Sequence, residues 1–99
     1  MINAYILKDC YYSSQAFDLL KKSKIRFQYF EVPQDEKIKT SLKKQHKMKT
    51  FPQIIYELPS GKSTTIGGYS ELVQYFNIIE QIKNEKLNKD FLIHLLQKK

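Results

Sequence analysis

The stretch Ile2-Asn3-Ala4-Tyr5-Ile6-Leu7-Lys8-Asp9-Cys10-Tyr11-Tyr12-Ser13 decides how this chain is read. Ile2 to Leu7 is short, apolar and rich in β-branched and aromatic residues, and it runs into the charged pair Lys8-Asp9; the pattern predicts a buried strand. Past Cys10 the period changes. Ala16, Phe17 and Leu20 fall at helical spacing within Ser13 to Ser23, and Lys21, Lys22 and Lys24 crowd the C-terminal turn, where cations suit the helix dipole. A strand therefore feeds a helix through a tight turn that holds Cys10.

Outward from that turn the alternation continues. Phe27 to Val32 reads as a second strand closed by Pro33, and Asp35 to Lys47 as a second helix, with Asp35 as its cap and Ile38 and Leu42 on its inner face. Such a β-α-β unit carries parallel strands. Then the pattern switches: Gln53 to Glu57 after Pro52, the turn Leu58 to Lys62, and Ser63 to Ile66 before Gly67-Gly68 form a hairpin. A third helix starts at Ser70, its N-cap, and buries Leu72, Val73, Tyr75, Phe76 and Ile79. The order β-α-β-α-β-β-α predicts an α/β fold with a mixed four-stranded sheet flanked by helices. Residues 1–83 are expected to form this domain. Residues 84–99, with Leu87, Phe91, Leu92, Leu95 and Leu96 on one stripe, are expected to add a C-terminal amphipathic helix packed on it.

Ninety-nine residues and 11.8 kDa allow one small core, which excludes a multi-domain enzyme. The one cysteine cannot form an internal disulfide, and with His46 and His94 distant in sequence it offers no zinc site, so no metal is expected. No apolar run nears the ~20 residues that span a bilayer, and the first residues lack a basic segment followed by an apolar one. A cytoplasmic, monomeric protein without membrane contact is the expectation. The net charge of +7 favours anionic partners. Sixteen of the 17 basic residues are Lys, however, and with Arg26 the only Arg, the forks that read phosphates and bases are missing, which argues against nucleic acid. Most of the lysines read as a solvated face. His46 and His94 read as surface or helix-face residues without a role.

Cys10 has two readings. A lone cysteine is commonly an inert buried thiol. One placed between a strand and the first turn of a helix, however, faces unpaired N–H groups and the positive end of the helix dipole. These favour thiolate over thiol and make a nucleophile, to which Lys8 adds nearby positive charge. Pro52 taken alone marks a strand start with an ordinary trans bond. Gly67-Gly68 before Tyr69-Ser70-Glu71 is a strand exit into a capped helix, whose free N–H groups also suit a carboxylate.

Together, Cys10-Tyr11-Tyr12-Ser13 at a strand-to-helix turn, Thr50-Phe51-Pro52-Gln53 at a strand start and Ile66-Gly67-Gly68-Tyr69-Ser70-Glu71-Leu72 entering a helix resemble, in order and spacing, the three signatures of the glutaredoxins. The resemblance covers about Ile2 to Phe76 and is nearest to the small bacterial, phage and viral members. It implies the thioredoxin fold, glutathione as co-substrate, glutathionylated proteins as partners and a cis Phe51-Pro52 bond. It further implies Cys10 as nucleophile and Tyr12 beside the glutathione sulfur. Thr50 and Phe51 would precede the cis Pro52 at the glutathione site, the Phe51 backbone pairing with the cysteinyl unit. Tyr69 and Ser70 would hold the γ-glutamyl carboxylate, Lys49 would reach the glycine carboxylate, and Lys8 would be a second basic glutathione contact. Three positions depart from the pattern. Ser13 stands where the dithiol motif has its second cysteine, Tyr11 where proline is common, and Lys8 lies two rather than three residues before Cys10. The expected activity is monothiol reduction of protein–glutathione mixed disulfides. The alternatives are a dimer holding a glutathione-ligated [2Fe–2S] cluster, disfavoured because the Cys-Gly-Phe-Ser signature is absent, and a non-catalytic module that docks an anionic partner.

Overall fold

The computed structural model describes residues 1–82. The elements run β1 (Ile2–Ile6), α1 (Tyr11–Lys22), β2 (Phe27–Glu31), α2 (Glu36–His46), β3 (Gln53–Glu57) and β4 (Ser63–Gly67), followed by α3 from residue 69. The expected C-terminal helix over 84–99 lies outside the described residues.

The sheet order is β2-β1-β3-β4. β1 pairs in parallel with β2, as a β-α-β crossover requires, and antiparallel with β3, which turns back through a hairpin into β4. This is the expected mixed four-stranded sheet. As a central strand, β1 buries successive residues, Ile2, Asn3 and Ala4, on both faces. Ile2, Ala4 and Ile54 meet Ala16 and Leu20 of α1 and Leu72 of α3 in a core whose members are fully buried. Asn3, on the opposite face, is satisfied within a polar ladder: Gln28 Nε2 donates to Asn3 Oδ1 at 2.7 Å, and Asn3 Nδ2 donates to Glu57 Oε2 at 2.9 Å.

Four expectations are corrected. α1 begins at Tyr11, two residues earlier than its apolar spacing suggests, because Cys10 is itself the N-cap and its carbonyl accepts from Ser14 N–H at 2.9 Å. On α2, Ile38 is exposed, and the buried residue is His46, one further step along the i, i+4 row that runs through Ile38 and Leu42. His46 is thus neither a surface residue nor without partners. α3 starts at residue 69 rather than after a Ser70 cap. The first intrahelical bond runs from Leu72 N–H to the Gly68 carbonyl, and Glu71 Oε1 reaches back to Gly68 N–H at 2.8 Å, so Gly68 is the cap and Glu71 supplies the carboxylate half of a capping box. This close return fixes Gly67, whose φ is 134° and where a Cβ would lie 2.6 Å from Glu71 Cβ.

Candidate functional site

Cys10 stands half-buried where the chain leaves the central strand and enters α1. The approach is set by Asp9, whose left-handed φ of 60° turns the chain after Lys8. Cys10 itself is extended, and no side chain caps α1. The N–H groups of Tyr11, Tyr12 and Ser13 precede the first intrahelical bond and have no carbonyl to meet. No acidic residue sits in this first turn, while Lys21 and Lys22 occupy the last.

Ser13 completes the setting. It is 1% exposed, and its hydroxyl oxygen accepts from Leu7 N–H at 3.0 Å, tying the first turn of α1 to the chain just past β1. That leaves the hydroxyl hydrogen for Cys10. Desolvation pushes the thiol pKa up, but the N–H and hydroxyl of Ser13 and the N–H of Tyr12, which favour the thiolate, outweigh it and hold Cys10 below its ordinary value. Ser13 is thus a built part of the cysteine's surroundings.

A groove of about 320 Å³ opens beside this turn and brings together six of the residues singled out in the sequence: Tyr12, Thr50, Phe51, Pro52, Tyr69 and Ser70. Tyr12 is 57% exposed, and its ring lies 6.2 Å from that of Tyr69 across the groove. The Phe51–Pro52 peptide is cis. At the far end, Tyr69 and Ser70 N–H precede the first helical bond of α3, while the neighbouring Gly68 N–H is already taken by Glu71.

Three residues stand elsewhere. Lys8 is exposed and lines a different hollow with Glu31, Val32 and Pro33, because the turn at Asp9 separates it from the cysteine's helix. Lys49 is exposed beside Thr50 and does not line the groove. Tyr11, 69% exposed, packs edge-on to Tyr12 at 5.3 Å and lines a second, mostly apolar hollow of about 520 Å³ together with Cys10, Ile6, Leu7 and Phe17.

Two residues at the site escaped the sequence reading. Glu71 enters the sequence reading only as part of the stretch leading into the third helix, although its position three after Gly68 is the capping-box spacing. His46 reads in the sequence as a surface or helix-face residue without a role, although it falls at i+4 from Leu42. Its Nδ1 lies 2.8 Å from Gln53 Oε1, and Gln53 Nε2 donates to the Thr50 carbonyl at 3.2 Å, immediately behind the groove.

Comparison with known proteins agrees with this geometry. The Glutaredoxin family model matches residues 2–57, more than half of the chain, a span that holds both the cysteine turn and the cis proline. No curated protein matches the chain in sequence. Among solved structures, the chain is similar to a buckwheat glutaredoxin crystallised as its glutathione complex. The TM-score is 0.62 at 19% identity, over 83% of this chain and 73% of that one, which establishes a shared thioredoxin-like fold. With more than half its length matched to one family and its fold shared with a solved member, the chain belongs to the glutaredoxin family, whose members are in general glutathione-dependent thiol–disulfide oxidoreductases.

Proposed function

We propose that this protein reduces protein–glutathione mixed disulfides by a monothiol route in which Cys10 is the only redox-active group. The observation that carries the reading is the place of Cys10 at the uncapped head of α1, where the free N–H groups of the first turn favour a thiolate, beside a groove of tripeptide scale. A glutaredoxin of the same fold has been crystallised with glutathione, and family membership supports glutathione here.

In the first step the Cys10 thiolate attacks the glutathione sulfur of the mixed disulfide. The S–S bond to the protein substrate breaks, the substrate leaves as thiolate and takes up a proton, and Cys10 holds glutathione as a disulfide. In the second step a glutathione thiolate attacks the glutathione sulfur of that bond. Oxidised glutathione leaves, and the Cys10 thiolate returns. One disulfide is exchanged for another: the substrate sulfur leaves as a thiol, the incoming glutathione thiol becomes half of oxidised glutathione, and the glutathione that arrived in the mixed disulfide becomes its other half. The donors that stabilise thiolate at Cys10 also make it the better leaving group in the second step.

The groove residues take roles along the tripeptide. The Phe51 backbone, held before Pro52, pairs with the cysteinyl unit. Tyr12 packs beside the sulfur. The N–H groups of Tyr69 and Ser70 receive the γ-glutamyl carboxylate as a helix start receives an anion. Lys49, beside Thr50, swings to the glycine carboxylate. Lys8 has no part in this arrangement. With Ser13 in place of a second cysteine, an intramolecular disulfide is closed to this protein, and dithiol reduction of protein disulfides is outside its repertoire.

The test is a deglutathionylation assay: a glutathionylated peptide, glutathione, and either the unsubstituted protein or Cys10→Ser. Turnover is expected with the first and none with the second. Peptide release that persists in Cys10→Ser, or that never depends on glutathione, overturns the reading.

A further inference from the structure

His46 is the last helical residue of α2 and the most buried residue of that helix, 6% exposed. Its backbone and ring are both held. Its carbonyl, left without a helical partner by the end of α2, accepts from Thr65 Oγ1 of β4 at 3.1 Å. Its ring lies 4.9 Å from that of Tyr5 on β1, which in turn stacks on Phe30 at 5.1 Å. Lys47, in the left-handed conformation, then turns the chain toward Lys49 and the groove loop.

The hydrogen bonds beyond the ring have a direction. The Thr50 carbonyl can only accept, so the side chain of fully buried Gln53 must present its NH2 there. The Gln53 amide oxygen is thereby turned to His46, and at 2.8 Å an oxygen needs a donor, so the imidazole proton resides on Nδ1. A polarised chain therefore runs from His46 Nδ1–H through Gln53 to the Thr50 carbonyl. Thr50 and Phe51 form the wall of the groove, and both are otherwise exposed or half-buried. The loop is steadied from behind, from the dry side, where such bonds are strongest.

We propose that His46 is a positioning residue for the groove: through Gln53 it fixes the Thr50 carbonyl, and with it the Thr50–Phe51 backbone that receives glutathione. This rests on the glutathione reading above. His46 touches neither the substrate nor Cys10, so its loss acts on binding rather than on thiol chemistry.

The experiment compares the unsubstituted full chain with His46→Leu, which fills the space without a donor, and His46→Asn, whose side-chain N–H stands close to where Nδ1–H stood. His46→Leu is expected to raise KM for a glutathionylated peptide by about five-fold or more, the factor that a lost hydrogen bond corresponds to. Its kcat and the pH inflection of Cys10 alkylation stay unchanged. His46→Asn recovers most of the KM. A readout without turnover comes from NMR of the ligand-free protein. The neutral His46 imidazole carries its proton on Nδ1, and the Thr50 and Phe51 amide resonances shift in His46→Leu but hold in His46→Asn. If the unsubstituted protein shows no glutathione-dependent turnover, the proposed function falls while these spectra still decide the role of His46. If His46→Leu does not fold, the tautomer and His46→Asn decide it. A proton on Nε2, or an unchanged KM and unmoved Phe51 amide in His46→Leu, overturns the proposal.

Discussion

Two helices of nearly equal length begin 25 residues apart, and they treat their N-termini in opposite ways. α2 is closed by its own sequence: Asp35 Oδ1 accepts from Lys37 N–H at 2.9 Å and from Ile38 N–H at 3.3 Å, and Glu36 adds a second carboxylate to the first turn. α1 has Cys10 at the same position, no side-chain cap and no acid in its first turn. Where Asp35 brings a permanent anion that completes the helix, Cys10 brings a sulfur that completes it only as a thiolate. An uncapped helix start forgoes about 1 kcal/mol of stability, and here that deficit is what draws the thiol toward ionisation. α3 stands between the two, with Glu71 satisfying Gly68 N–H and leaving the N–H groups of Tyr69 and Ser70 toward the groove.

The strongest way to break the contrast is to make α1 resemble α2. Cys10→Ser installs a good N-cap residue. Turnover of a glutathionylated peptide is expected to vanish, while thermal unfolding shows equal or higher stability, by up to about 1 kcal/mol. A clear fall in melting temperature would show that the sulfur itself holds α1 in place.

The intermediate helix is broken at Gly67. An alanine there combines a φ of 134° with a Cβ 2.6 Å from Glu71 Cβ, so the capping carboxylate must move. Gly67→Ala is expected to cost about 2–3 kcal/mol, read from urea unfolding, and to weaken glutathione binding as the start of α3 shifts.

Ser13→Ala is expected to act on the contrast itself. It leaves the part-buried Leu7 N–H without its acceptor, at about 1 kcal/mol, and removes the hydroxyl that favours the Cys10 thiolate, so the alkylation inflection moves up toward the ordinary thiol value. The pH dependence has a definite sign. Because the folded pKa of Cys10 is depressed, its thiolate contributes stability in full above the unfolded pKa of about 8.5, and that contribution is lost as pH falls through the folded value. Ser13→Ala should therefore destabilise more at alkaline than at mildly acidic pH. An equal loss at both would assign Ser13 to Leu7 alone. Ser13→Cys should keep monothiol turnover and add a dithiol route.

What the sequence disclosed follows the same division. β1, the cysteine turn and the hairpin were legible because strand alternation, the change of period at Cys10 and the turn residues are local signals. The groove was legible only through the joint spacing of three motifs, since no single one of Tyr12, Pro52 or Ser70 specifies a partner. The polar misses were residues whose partner stands on the neighbouring element, six or seven residues away and outside any helix or strand period. His46 looks like a surface histidine until β3 brings Gln53 beside it. Ser13 looks like a vacated cysteine position until Leu7 N–H is placed against it. Ile38 was assigned inward because its helix row is apolar, but α2 buries only the far end of that row.

The smallest expected effect is at the cap that looks most like a site and is not one. Asp35→Ala removes two hydrogen bonds from the head of α2, both solvent-exposed, so water replaces the carboxylate and the cost is about 1 kcal/mol rather than the penalty of a buried orphan. In a domain of this size that lowers the melting temperature by roughly 4–8 °C. Turnover and the alkylation inflection of Cys10 should stay where they are, because α2 passes its influence to the groove through its other end, at His46. If Asp35→Ala raised KM for the glutathionylated peptide as His46→Leu is expected to, the whole helix rather than its last residue would be positioning the loop. The contrast between α1 and α2 would then be one of degree.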